Sequence, residues 1–372
     1  MSASRWRWRG RVALAGIALA FVLYPLTPYD DVISSDWPAF ATGARLIVTN
    51  PSHLYDLDAQ APVQLQITGG RRLVTLGIHG ILPFLAPAWV ALIAVPFELA
   101  GPDLGGRLWI LFGLACLGLG VWLAVRPRPW LEVMPAIAGV PTALLLLNAQ
   151  IDGLVVLGFG AAFALWSRPF LAGLALGLTL MKPQLVLPLG LGLLLGRQWR
   201  TLAGWATAGV ALFAASAAFN WRWVLDWLSQ TGNTVTSASR EVDLPHLGTL
   251  LPTNFQTDAV AILTVLTVLV VLTLARRKTD NFRRTFGVLV AGGVLAAPHA
   301  LPTDLVLAAL ALAIWGEAAW YDWVLLSVGA AVCAVTPAPV PAFIGVPLLV
   351  FLLLRISGVI APQPRPLAAS TG

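Results

Sequence analysis

The sequence predicts an all-α polytopic membrane protein, and three observations predict it. Of 372 residues, 58% are hydrophobic and only 11% are charged, with a mean hydropathy of +0.82; a soluble domain carries about 25% charged residues. Apolar runs of about 20 residues recur along the chain, each long enough to cross a bilayer as a helix. The alternating segments of a spanning β-barrel are missing from it. Length and break signals together predict a bundle of about 10–12 transmembrane helices.

Charge and cysteine content narrow the class further. The formal net charge is +6 and the pI is near 10.0, but the basic residues sit in short connections, as the positive-inside rule requires. No basic patch interleaves with aromatics in a soluble stretch, so nucleic acid is not an expected partner; membrane lipids are. Cys116 and Cys333 fall in apolar runs and read as small core residues. They suggest neither a disulfide framework nor a metal site.

In chain order, residues 1–9 read as a cytoplasmic N-terminus, because Arg5, Arg7, Arg9 and Arg11 crowd the start of the first span, Gly10 to Leu26. No small-residue cleavage site precedes Tyr29, so this span is expected to be retained. Residues 10–356 are expected to form a single transmembrane domain, with a first extracytoplasmic loop over 27–80. That loop holds Asp30, Asp31, Asp36, Asp56 and Asp58 in a chain otherwise poor in acids. Within it, Trp37 to Val48 has the spacing of an amphipathic helix suited to lie flat on the membrane interface, with Asp36 at the N-cap and Pro38 in the first turn. A second short helix is expected from about Asp58 to Ile67, broken by Gly69-Gly70.

Ile81 to Leu99 is apolar but carries Pro83, Pro87 and Pro96. It either crosses fully or dips in and returns, and the second option places the Arg126/Arg128 turn inside. Leu104 to Val125, Leu131 to Leu147 and Ile151 to Trp166 follow, the last two flanking the polar break Asn148-Ala149-Gln150-Ile151-Asp152. Phe170 to Met181 leads into Lys182-Pro183-Gln184, then Leu185 to Leu195, the basic turn at Arg197 and Arg200, and Thr201 to Phe219. Residues 220–257 form a second long extracytoplasmic loop, with Trp221, Trp223 and Trp227 suited to an interface belt. The cluster around Arg276 to Arg284 marks a cytoplasmic loop, and Pro298 to Asp304 an outer turn. Three further apolar runs complete the bundle, and residues 357–372 read as a disordered tail.

Several residues carry two readings each. Asp36 is a helix cap worth about 1 kcal/mol, or a carboxylate poised for chemistry at the membrane surface. Lys182 is a snorkelling interfacial lysine, or a point charge for an anionic head group, with Gln184 as a neighbouring donor. His299 is a capping or core histidine, or a group that binds substrate or relays a proton. Asp304 after Pro302-Thr303 caps a helix or joins the same site.

Some of these residues fall into a recognisable order. Asp36-Trp37-x-x-Phe40 with Gly43-Ala44, then Leu54-Tyr55-Asp56 and Gln60, resembles the first loop of glycosyltransferase family 87. Phe84-Leu85-Ala86-Pro87-Ala88 resembles that family's aromatic-Pro-Pro helix start, without the tandem prolines. Residues 148–152 resemble its Gly-Gln-x-Asn element, with departures at Asn148 and Asp152. Gly173 through Lys182-Pro183-Gln184 to Arg200 is the best of these matches, and Ala297-Pro298-His299 with Asp304 resembles a late Ser-Pro turn.

The resemblance implies a GT-C-type membrane bundle with interfacial helices in the first loop. It implies transfer of a hexose, mannose foremost, from a polyprenyl-phosphate sugar to a lipid or glycan acceptor on the extracytoplasmic side of the cell membrane. Asp36 would be the catalytic base of an inverting reaction. Substrate would be met by Tyr55, Gln150, Lys182, Gln184, His299 and Asp304, with no cofactor beyond the lipid-linked donor and no metal. The alternative is a transporter or flippase of a lipid-linked solute. Such proteins show internal repeats and midplane ionisable residues, neither of which stands out here. A structural scaffold leaves the acidic outer loop without a purpose.

Overall fold

The computed structural model describes residues 16–71, 81–128, 130–238, 256–276, 281–336 and 340–360. The Arg5–Arg11 cluster, the polar part of the second loop (Arg240, Glu241, Asp243, His246 and Asn254), Arg277 with Lys278, and the tail beyond residue 360 lie outside the described residues. Among those described, the secondary structure is helical and contains no strand.

The first helix, α1 (residues 16–23), ends in a 3-10 turn, Tyr24–Leu26. The loop that follows folds into α2 (Tyr29–Ile33), α3 (Trp37–Thr49) and α4 (Leu57–Ile67). The expected helix pair is therefore present, but α3 does not lie on a surface. Ten of its residues, including Ala39, Thr42 and Gly43 on the less apolar side, are buried. The reason is α5 (Ala88–Glu98), which packs along α3 and ties Arg45 to Glu98 at 2.5 Å.

The proline-rich segment is thus only partly helical. Residues 82–87 run without helix, since Pro83 and Pro87 lack the N–H that a helix interior needs. The 11 residues of α5 rise only about 16 Å, half of a hydrocarbon core of about 30 Å.

Among the described residues, one helix, α6 (Pro102–Val125), is long and apolar enough to cross a membrane; the other apolar helices are shorter. The expected Leu131–Leu147 span is two pieces, α7 (Trp130–Ile137) and α8 (Val140–Leu147), parted at Ala138-Gly139. Next come α9 (Asp152–Ala164), α10 (Pro169–Leu176), 3-10 turns around Lys182, α11 (Leu187–Leu195) and α12 (Trp199–Ala217). The chain continues with α13 (Trp223–Ala238), α14 (Gln256–Arg276), α15 (Phe282–Ala296), α16 (Leu305–Trp315), α17 (Trp320–Val335) and α18 (Val340–Ile356). This helical, apolar array suits a membrane protein.

The core is read directly from α16. Its sequence LVLAALALAIW has no polar face, and a helix apolar all round belongs inside; all 11 of its residues are buried. Its two ends differ in chemistry. At the C-terminal end the Ile314 carbonyl accepts from Arg128 and Arg283, Arg284 pairs with Glu317, and the buried Arg355 pairs with Asp322. Cations at a helix C-terminus are favourable, and here they gather basic turns from three parts of the chain. At the other end sits Asp304, beside the loops described below.

Helices α6 and α9 run in the same direction with their backbones in contact. A Cβ on Gly153 would stand 2.1 Å from the Gly113 carbonyl oxygen, and one on Gly160 would stand 2.0 Å from that of Gly120. Two rungs seven residues apart therefore lock the register, because only glycine allows this approach. Gly160→Ala is expected to force the pair apart and cost about 1–3 kcal/mol, read as earlier thermal unfolding in detergent. Gly118→Ala, which meets nothing within 4 Å, is expected to be neutral or stabilising.

Candidate functional site

Asp36 occupies the N-cap position of α3, yet its side chain makes no capping hydrogen bond. Its carboxylate instead accepts from Gln150 Nε2, and its backbone N–H donates to the Asn148 carbonyl at 3.1 Å. The capping task falls to Ser35, whose hydroxyl accepts from the Trp37 N–H at 3.2 Å. The acid is thus held by the polar break between α8 and α9 and turned away from its own helix.

That break is a Schellman turn. Ala149 N–H donates to the Leu146 carbonyl and Gln150 N–H to the Leu145 carbonyl, with Ala149 at φ 49°. Both bonds satisfy carbonyls that the end of α8 would otherwise leave open. The reversal puts Gln150 on one side of the turn and Asp152, the first residue of α9, on the other.

Asp152 is fully buried and accepts from Lys182 Nζ at 2.9 Å; Asp304 accepts from the same ammonium at 2.7 Å. Asp304 Oδ2 also accepts from the Leu301 N–H at 2.6 Å. Lys182 is therefore neither snorkelling nor a loose point charge: two carboxylates already hold it. Three chain segments meet at this node, namely the α8–α9 turn, the 3-10 junction around Lys182 and the Pro298–Asp304 turn.

Above the node lies a cavity of about 400 Å³. Its polar lining is Asp36, Gln150, Lys182, Gln184, His299 and Asp304, and most of the rest is apolar, including Phe40, Met181 and the whole extended run Leu82 to Pro87. Six of the seven expected site residues thus share one cavity. Tyr55 does not line it. Its hydroxyl donates to the Ala86 carbonyl at 3.0 Å and its ring stacks on Phe84, so it braces the cavity wall from behind.

The wall is shaped by α4. The Gln60 side chain accepts from the Phe84 N–H and donates to the Leu54 and Phe84 carbonyls; the Gln64 side chain accepts from the Leu82 N–H and donates to the Leu82 carbonyl. Two glutamines one helical turn apart give an extended strip the partners a neighbouring strand would supply. From the second loop, Trp227 lines the cavity and donates to the Leu85 carbonyl at 2.7 Å. Of the three expected belt tryptophans, only Trp221 stays largely exposed, whereas Trp223 is buried. Asn220 donates to the Pro51 carbonyl at 3.1 Å, so both loops do lie at the same end of the molecule. At its exposed edge, Asp30 pairs with Arg71.

Sequence reasoning missed Asp152 as the partner of Lys182 and Trp227 as a wall residue. The signal for the first was present: an acid and an amine, each in an apolar run, each need an opposite charge.

The apolar surroundings raise the Asp36 pKa to about 6 by desolvation, against the opposing pull of Lys182 and the Gln150 hydrogen bond. A carboxylate tuned toward neutrality at the edge of a largely apolar cavity can accept a proton near physiological pH.

The family model for glycosyltransferase family 87 matches residues 84–302, more than half of the chain, and the chain belongs to that family. No curated protein and no solved structure matches it. The matched stretch contains most of the apolar wall, the α8–α9 turn and Lys182 with Asp152, while Asp36 precedes it and Asp304 lies just beyond it.

Lys182→Met leaves two carboxylates facing each other without their cation. It is expected to cost about 3–5 kcal/mol, read by thermal unfolding in detergent. Adding Asp152→Asn, which removes one surplus charge, is expected to recover part of that loss. Unchanged stability in Lys182→Met would show that the ion pairs do not hold the node.

Proposed function

We propose that this glycosyltransferase is a polytopic GT-C-type membrane enzyme. It transfers a hexose, mannose foremost, from a polyprenyl-phosphate sugar to a lipid or glycan acceptor at the extracytoplasmic face of the cell membrane. The observation that carries this reading is the Asp36 carboxylate, half-buried at the edge of a largely apolar cavity. It lies at the end of the bundle away from the arginines around Ile314. The positive-inside rule assigns the arginine end to the cytoplasm and the cavity to the other side.

The proposed reaction uses the groups present. The acceptor hydroxyl gives its proton to Asp36 as its oxygen bonds to the anomeric carbon. The bond from that carbon to the phosphate oxygen breaks on the opposite face, and the polyprenyl phosphate leaves with the electron pair. A single displacement of this kind inverts the anomeric centre. The leaving group is already a phosphate monoester, so neither a nucleotide fold nor a cofactor is needed.

With Lys182 engaged by two carboxylates, its part is to fix the cavity floor and to favour the ionised form of Asp36. Gln184 and His299 are the groups proposed to meet the phosphate, and hydrogen-bond donors there stabilise its developing charge. The apolar strip Leu82 to Pro87 suits the first units of the carrier chain. A buried ionisable cluster also occurs in transporters, but family membership favours transfer.

Asp36→Asn is expected to lower sugar transfer by about 10²–10⁴-fold with folding retained. The assay is release of label from a radiolabelled polyprenyl-phosphate sugar into membrane-extract acceptors, with no ion gradient. Because the base works only when ionised, the parent enzyme is expected to be active above pH 6 and to lose about tenfold per unit below it. Full activity in Asp36→Asn would remove the base from the mechanism, and label release only under a gradient would point to transport.

A further inference from the structure

We infer that Gln150 and Trp109 are positioning residues for the reaction, and that the Asn148–Gln150 turn braced by the Trp109 indole aims the Asp36 carboxylate at the acceptor hydroxyl. This rests on the reading of Asp36 as the base. Three bonds converge on the turn from the side of α3 and α6. The Asp36 N–H donates to Asn148, the Asp36 carboxylate accepts from Gln150, and the Trp109 indole N–H donates to the Ala149 carbonyl at 2.8 Å.

The Trp109 bond has a fixed direction. Trp109 is 2% exposed, and its ring sits among Trp37, Phe40, Phe97 and Phe112 at centroid distances of 5.2–6.3 Å. Trp37 and Phe40 belong to the helix that Asp36 begins, so one aromatic cluster holds both the acid and the indole that braces its partner. The Ala149 backbone is left-handed, a conformation that residues with a Cβ avoid. That conformation is kept in place by the two Schellman bonds behind it and by Trp109 in front.

The base therefore does not depend on its own helix for direction. With Oδ2 engaged by Gln150, Oδ1 is the oxygen assigned to receive the acceptor proton. A general base must lie within hydrogen-bond reach of the proton it takes, and a small misplacement of such a group costs about 10²-fold.

Trp109→Phe keeps a ring in the cluster and deletes the N–H; Gln150→Ala deletes the donor to Asp36. Both are made in the full chain and assayed with a radiolabelled polyprenyl-phosphate sugar and saturating membrane-extract acceptor. The other titratable groups around Asp36 are unchanged in either variant: Lys182, Asp304 and His299 on the cavity lining, and Asp152 behind Lys182.

The expected result is a kcat lowered by about 10–100-fold with KM for the donor within about twofold. In Gln150→Ala the acid limb of the pH profile should also move to higher pH, because a hydrogen bond to the ionised form is lost. A raised KM with kcat and pH limb unmoved would make Gln150 a substrate contact and overturn the inference. So would parent-like kinetics in both variants. If Trp109→Phe does not fold, Gln150→Ala, whose side chain borders the cavity, decides alone. Failure of the base reading is seen separately, as retained transfer in Asp36→Asn.

Discussion

An ammonium group in an apolar interior has to be matched by opposite charge, and the site is built around that requirement. Lys182 lies in a break between two short apolar helices, where neither neighbour can solvate it. Asp152 and Asp304 do so instead, at 2.9 and 2.7 Å. They come from segments 30 and 122 residues distant, so the pairing closes the middle of the chain on itself. Breaking such a pair is far costlier than a surface ion pair is worth. The three turns that bear these charges are also the floor of the cavity.

A second constraint acts from above. The cavity wall is extended chain, and extended chain inside a protein must find partners for its backbone. Gln60 and Gln64 from α4, Tyr55 before it and Trp227 from the second loop each satisfy one or more groups of the strip from Leu82 to Ala86. These residues shape the site without being its chemistry. Their effect is a wall that stays apolar toward the cavity while its backbone polar groups are satisfied from behind.

The acid itself shows how little a local signal settles. Asp36 before Trp37-Pro38 has the sequence of a helix cap, and it stands at the cap position, yet Ser35 makes the bond. The carboxylate turns to Gln150 because the Schellman turn at the end of α8 delivers a donor there. That turn was visible in the sequence only as a polar interruption. Its left-handed Ala149 and its bond to Trp109 depend on helices α6 and α8 being brought side by side.

From composition and order alone came the helical class, the two loops at one end, the arginines at turns and the short helix α4, while the family resemblance grouped the six residues that share a cavity. These follow from local rules: apolar length, capping and the cost of charge in lipid act on a residue wherever the chain goes. The pairing of Lys182 with Asp152, the burial of α3 under α5, the short helix and extended strip of the proline segment and the bracing role of Tyr55 were decided only by the folded chain. Each depends on which surfaces meet across tens of residues. Such meetings are selected by packing and charge balance in three dimensions, which no window of sequence contains.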